Sequence, residues 1–160
     1  GFEAVHRDIQ IAVLRPSIFF SERPEQGIFR NLFARRIVVA VRGMDAPVHI
    51  THGDDVAKAC VLALKKRAHG KFNVSSDEPL TIAQMADVLG KRFIALPKIM
   101  LGINYLAFRF NLIDIDPIWT LCFSGDGVLV SSKKIRNELG WEPRYKTAAE
   151  VIQALSENYT

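Results

Sequence analysis

Ala46 to Leu64 reads APVHITHGDDVAKACVLAL, and the rest of the chain arranges itself around this stretch. Val48 to His52 is rich in β-branched residues and holds no glycine or proline, the pattern of a strand. Asp54 and Asp55 then stand where a helix N-cap is expected, a carboxylate taking up the backbone N–H groups that a first turn leaves unpaired. Behind them Val56, Ala57, Cys60, Val61 and Leu64 recur at helical spacing and define the face expected to be buried. Lys58 and the Lys65-Lys66-Arg67 run take the other face and the C-terminal end, where positive charge suits the helix dipole. Gly70 offers a left-handed stop. Strand passes into helix here, as in half of a β–α unit.

Upstream, Phe2 to Asp8 reads as the tail of a helix, and Ile9 to Leu14 as a buried strand ending at Arg15-Pro16. Pro24 suits a first helical position, since its fixed φ is already helical and its missing N–H costs nothing there. The helix running on to Arg36 turns Ile28, Leu32 and Phe33 inward. Ile37 to Val41 (IVVAV) is a second strand, followed by a turn at Arg42-Gly43-Met44-Asp45. Downstream, Lys71 to Val74 is a short strand. Thr81 and Gln84 have the spacing of a capping box, and the helix it opens buries Ile82, Met85, Ala86 and Leu89 and stops at Gly90. Arg92 to Leu96 reads as extended. Pro97 to Asn111 is apolar almost all round, with a narrow polar stripe of Lys98, Gly102, Tyr105 and Arg109. It is too short to span a membrane and reads as a core or lid helix in preference to a membrane-surface one. Gly127 to Ser131 is a further strand, Ser132 caps a helix that buries Ile135 and Leu139 and ends at Gly140, and Thr147 to Glu150 is a second capping box. Strands alternating with helices imply an α/β fold with a largely parallel sheet. Such sheets bind ligands beyond the carboxyl ends of their strands.

A chain of 160 residues suits one ordinary domain, and its 49% hydrophobic and 24% charged content makes that domain globular. The balance of 21 basic and 17 acidic residues comes without an arginine-rich arm or a basic stripe with interleaved aromatics, which argues against a nucleic-acid partner. Cys60 and Cys122 lie outside any CxxC spacing. Cys60 falls on the apolar helix face and reads as a buried thiol, so a reducing compartment, the cytoplasm, is favoured. The N-terminal GFEAVHRD lacks the apolar run of a signal peptide. It begins without Met in what reads as the middle of a helix, and a fragment is the expectation.

Several chemistries are missing. A dinucleotide site announces itself by G-x-G-x-x-G after a strand, because only glycine lets the backbone approach a pyrophosphate, and the ten glycines never make that pattern. Gly125-Asp126-Gly127 leads into an expected strand instead of a helix. His49 and His52 are three apart, on opposite faces of a strand, and read as structural histidines with no metal between them. Ser17 and Ser21 have no nucleophile elbow around them, and Asp114 and Asp116 look like turn residues. No catalytic and no metal-binding residue is assigned.

Four motifs nevertheless stand in order: Leu14-Arg15-Pro16-Ser17 after a strand, His52-Gly53-Asp54-Asp55-Val56-Ala57 opening a helix, Phe72 to Thr81 (FNVSSDEPLT), and Glu138 to Tyr145 (ELGWEPRY). In that order and spacing they resemble the C-terminal half of the extended short-chain dehydrogenase/reductases, the NAD(P)-dependent epimerase/dehydratase family. The resemblance runs over nearly the whole chain. It implies the C-terminal part of a Rossmann-type parallel sheet plus a small, mostly helical substrate-binding region. Residues 1–160 would then be one incomplete domain, with 1–75 and 127–131 belonging to the sheet and 76–126 and 132–160 to the substrate-binding part. It implies further that Pro16, Ser17 and Ile18 line the reactive end of NAD or NADP. Phe19, Phe20 and Arg42 would face a small-molecule substrate.

The departures from the family carry as much information. Its glycine-rich loop and its Tyr-x-x-x-Lys pair, in which lysine tunes the tyrosine as a proton donor and acceptor, belong to an N-terminal half that this sequence does not contain. Tyr105 to Arg109 has the spacing, with Arg for Lys and on an apolar helix. The chain alone is therefore expected neither to hold the cofactor tightly nor to turn over. Where nucleotide-sugar members place an arginine four residues before the motif histidine, this chain has Val48, which argues for a less charged substrate. The partners implied are that substrate, the missing cofactor half and, as an open option, further copies in a homo-oligomer. The alternative to a substrate-side portion of an enzyme is a non-enzymatic binding or assembly module that keeps only the fold.

Overall fold

The computed structural model describes residues 10–21, 27–43, 45–112, 127 and 129–157. The expected helix tail at 2–8, Pro24, the Ile28 side chain, the Asp114–Asp116 turn and Cys122 lie outside the described residues. In chain order the elements are β1 (Ala12–Pro16), β2 (Ile18–Phe20), α1 (Gly27–Ala34), β3 (Ile37–Val41), β4 (Ile50–His52), α2 (Gly53–Lys65), β5 (Gly70–Val74), α3 (Ile82–Val88), β6 (Arg92–Leu96), α4 (Met100–Arg109), α5 (Lys133–Leu139) and α6 (Ala148–Glu157).

The strands pair in parallel, as the strand–helix alternation predicts. β1 runs beside β5 from Ala12 opposite Gly70 to Pro16 opposite Val74, β2 beside β4, and β3 beside β6. The ladder is nonetheless divided into three two-stranded pieces instead of one sheet. Ser17 is where the first piece hands over to the second. Its N–H still reaches Val74 O at 2.9 Å, while its hydroxyl turns to Thr51 Oγ1 at 2.7 Å. The chain thus leaves β5 as a partner and takes up β4 within one residue.

Two apolar clusters hold these layers. The larger joins Phe29, Leu32 and Phe33 of α1 to Val38 of β3, Ile50 of β4, Ile82 and Met85 of α3, and Ile152 and Leu155 of α6. The smaller packs Ala59 and Ala63 of α2 against Phe72 and Val74 of β5, Ile135 and Leu139 of α5, and Trp141. Lys91 reaches back to the carbonyls of Leu32, at 2.7 Å, and Phe33, closing the C-terminal end of α1. Burial lowers its amine below the ordinary lysine value.

The organising helix differs from its sequence reading in two ways. Its cap is His52, whose Nδ1 accepts the Asp54 N–H at 3.2 Å, and not an aspartate. The first helical residue is Gly53, where a Cβ would collide with Ser21. Its buried face is Asp55, Ala59 and Ala63, whereas Cys60, Val61 and Leu64 are exposed. The buried-thiol reading of Cys60 is therefore corrected to an exposed free thiol. The small side chains decide this: alanine lets α2 approach β5 and Trp141 closely, and turning the helix by about 100°, one residue, would drive larger groups into that contact.

Other caps show the same mixture. The Thr81–Gln84 box is complete, and Gly140, at φ 61°, closes α5 as expected. Ser132 does not cap α5, because its Oγ accepts from Arg136 Nε instead. At α6 only half of the second box forms: Thr147 Oγ1 accepts the Glu150 N–H, while the Glu150 carboxylate takes the Lys146 N–H. The described part of 127–131 joins no strand ladder, since its backbone is engaged by side chains. α4 buries none of its residues among those described, which corrects the reading of it as a core helix.

Candidate functional site

Beyond Val74 the chain leaves β5 and turns through Ser75, Ser76 and Asp77, at the end of a parallel strand where α/β folds place ligands. Opposite stands the segment Leu129 to Ser132 and the first turns of α5. Side chains clamp the Val130 backbone on both sides. Ser75 Oγ donates to Val130 O at 2.7 Å, and His49 Nδ1 accepts the Val130 N–H at 2.9 Å. The other His49 nitrogen then donates to Asp77 O at 3.3 Å, which fixes the neutral Nε2–H tautomer and ties three segments together. His49 is thus the structural histidine the sequence suggested, and His52 is another.

Between these walls lies an open pocket of about 500 Å³, with Ser76, Asp77, Lys133 and Arg136 among its lining residues. Arg136 is held from several sides. Its Nη2 lies 2.7 Å from Asp77 Oδ1 and its Nη1 3.6 Å from Glu142 Oε2. Nε donates to Ser132 Oγ at 3.2 Å, and the guanidinium stands 5.6 Å over the Trp141 ring. The guanidinium is thus paired with carboxylates on two sides, while among the described residues the buried Ser76 Oγ has no hydrogen-bond partner. Among the described residues no group of three or more His, Cys, Asp or Glu is placed to hold a metal.

None of the residues given a cofactor or substrate role from the sequence lines this pocket. Pro16 ends β1 directly opposite Val74. Ser17 is buried with both its N–H and its hydroxyl engaged, and Ile18 opens β2 against the larger cluster. Phe19 and Phe20 point to opposite faces of β2. Phe19 is 48% exposed, while Phe20 packs on Phe29 with ring centroids 4.7 Å apart. Arg42 is exposed in the turn after β3, its N–H bonded to Leu96 O, at the carboxyl end of the β3–β6 pair. Val48 is fully buried and bridged to Leu80, a core position where a cation would be stranded. Sequence reasoning passed over Ser76, Asp77, Lys133 and Arg136 as site residues. The usable signal was the place of Ser75-Ser76-Asp77 immediately after a parallel strand.

No family model matches the chain. Among curated proteins it is similar to the uncharacterized protein y4nG of Sinorhizobium fredii (strain NBRC 101917 / NGR234), 27% identical over 168 residues, taking in 94% of this chain and 41% of that protein. Among solved structures it is similar to the UDP-glucose 4-epimerase of Thermotoga maritima with UDP-glucose, at 18% identity and a TM-score of 0.67, over 99% of this chain and 49% of that one. The UDP-N-acetylglucosamine 4-epimerase of Bacillus cereus matches at 18% identity and a TM-score of 0.62, over 98% and 51%. WbmG of Bordetella bronchiseptica, solved with NAD and UDP, matches at 18% identity and a TM-score of 0.66, over 95% and 45%. The chain has the fold of one half of a UDP-sugar epimerase. It spans about half the length of these structures, the coverage a C-terminal half gives. No helix among the described residues is long and apolar enough to cross a membrane.

Proposed function

We propose that the chain is the substrate-side portion of an NAD(P)-dependent epimerase, dehydratase or reductase of the short-chain dehydrogenase/reductase type, working in the cytoplasm. The observation that carries this reading is a likeness that runs the length of this chain but only half the length of each epimerase. The carboxyl ends of β1 and β5, with the pocket beyond them, form the substrate side. Residues 1–75 and 127–131 belong to the sheet-associated part, and 76–126 and 132–160 to the substrate-binding part.

In this reading Pro16, Ser17 and Ile18 form a wall for the cofactor's reactive end. The Ser17 hydroxyl is already shared with Thr51, so what Ser17 contributes is shape and a fixed backbone. Phe19 offers an exposed aromatic face to substrate, and Arg42 a cation at the neighbouring turn. The residues present do not fit the rest of a dinucleotide: among those described, no glycine-rich turn joins a strand to a helix N-terminus to cradle a pyrophosphate. No chemical step is therefore assigned to this chain, and its contribution is to bind and orient.

The test is a fluorescence titration with NADH and NADPH, on these 160 residues and on the product of the same gene read from further upstream. Saturable binding by the longer protein only, lost when Ser17→Trp fills the wall, is the expected result. Firm capture or turnover by the 160 residues alone would sink the proposal. So would an upstream sequence holding neither a glycine-rich turn nor Tyr-x-x-x-Lys, and that result would favour the non-enzymatic module.

A further inference from the structure

α4 rests on one face and leaves another uncovered. Met100, Leu101, Asn104, Ala107 and Phe108 are half-buried, at the spacing of a helix face laid against the protein. Ile99, Ile103, Leu106 and Phe110 fall on a second stripe, roughly a third of the way round the helix, and all four are exposed. Ile99 at 75% and Phe110 at 70% mark the two ends of that stripe. Lys98, Tyr105 and Arg109 run along the adjoining flank and are exposed as well. Exposure of so apolar a stripe reverses the preference for a core helix that its composition suggests.

Charge identifies what covers it. Between Asp87 and Asp114 the sequence holds Lys91, Arg92, Lys98 and Arg109 and no acidic residue. Among the described residues no carboxylate pairs with Lys98 or Arg109. A second copy of the chain fits this surface badly. A two-fold contact sets one patch against itself, so each Lys98 and Arg109 would approach its counterparts with nothing to neutralise them. Anionic lipid supplies the opposite sign. Apolar side chains can then enter the acyl boundary, while the lysine and arginine stems lie along it and keep their charges among the headgroups. At ten residues α4 is too short to cross, so it lies in the interface plane.

We propose that α4 docks the protein peripherally on an anionic lipid surface, inserting Ile99, Ile103, Leu106 and Phe110 with Lys98 and Arg109 at the headgroups. No nucleotide enters this inference, so it and the cofactor reading can fail separately. The test is cosedimentation of the full chain with vesicles of phosphatidylserine and phosphatidylcholine in equal parts, against vesicles of phosphatidylcholine alone. Saturable binding to the anionic vesicles is expected, weaker on the neutral ones and weakened by added salt. Phe110→Ser should lower the affinity about tenfold, the loss of one large apolar group from the interface. Arg109→Gln should lower it about fivefold, the worth of one cation near an anionic surface. Both positions are exposed, so the urea midpoint should hardly move. The product of the same gene read from further upstream should bind the vesicles equally. Failure of the chain to bind, equal binding to neutral vesicles, or unchanged binding by both variants would overturn the proposal. So would loss of binding in the longer product, which would give the stripe to the upstream half. A dimer at sedimentation equilibrium that Phe110→Ser dissociates would give it to a second copy instead.

Discussion

α2 and α4 are both rich in apolar residues, yet one is stitched into the protein and the other lies on its surface. α2 begins on a side-chain cap and carries Asp54 and Asp55 in its first turn. α4 begins at Ile99, already helical in backbone, with no side-chain cap. What separates them most is a polar residue. Asp55 is 1% exposed, and its carboxylate accepts the N–H groups of Arg144, at 2.6 Å, and Tyr145, at 3.2 Å. Its backbone carbonyl accepts Trp141 Nε1–H at 3.0 Å. One residue of α2 therefore binds a segment 86 to 90 positions away. Among the described residues α4 makes no comparable contact, and Ile103, Tyr105 and Leu106 are exposed. Apolar content made each helix eligible for burial; a buried carboxylate with its acceptors satisfied determined where α2 docks.

The largest effect should come from Trp141, fully buried in the smaller cluster. Trp141→Ala is expected to cost about 4 kcal/mol, read as a fall in the urea midpoint, because the cavity comes together with the loss of the donor to Asp55 O. Asp55→Ala should follow at about 3 kcal/mol, since two backbone N–H groups lose a charged acceptor in a buried place. Asp55→Asn keeps the volume but offers the two N–H donors a single oxygen, so it should fall between wild type and alanine. A loss below about 1 kcal/mol for Asp55→Ala would mean that α2 docks by alanine packing alone, and the contrast with α4 would lose its cause.

The sequence made some of this visible and hid the rest for identifiable reasons. The strand at Ile37–Val41, the Thr81 box and the stop at Gly140 are local signals, fixed by a few neighbouring residues, and the structure keeps all three. The buried face of α2 was misread because periodicity weighs large apolar groups, while the close approach to β5 and Trp141 selects small ones. The cap was misread because aspartate is the commoner choice, yet here His52 is near enough and Asp55 is needed elsewhere. The pocket left no local trace at all. Ser75-Ser76-Asp77 reads as a turn, Lys133 and Arg136 as an exposed helix face, and only the fold brings them together, with Ser75 and Val130 bonded across 55 positions.

α4 supplies the smallest and most discriminating test. Leu106 is 56% exposed, so Leu106→Ser should change the urea midpoint by no more than about 0.5 kcal/mol, the usual size for a surface position. Half of the side chain already meets water, and no cavity is left behind. Leu→Ala changes in a packed core cost about 2–5 kcal/mol, so the two situations are easily told apart. Should Leu106→Ser cost core-like energy, α4 would have a partner within the chain that the apolar count anticipated. The difference from α2 would then be one of which residues cover each helix, not of whether it is covered.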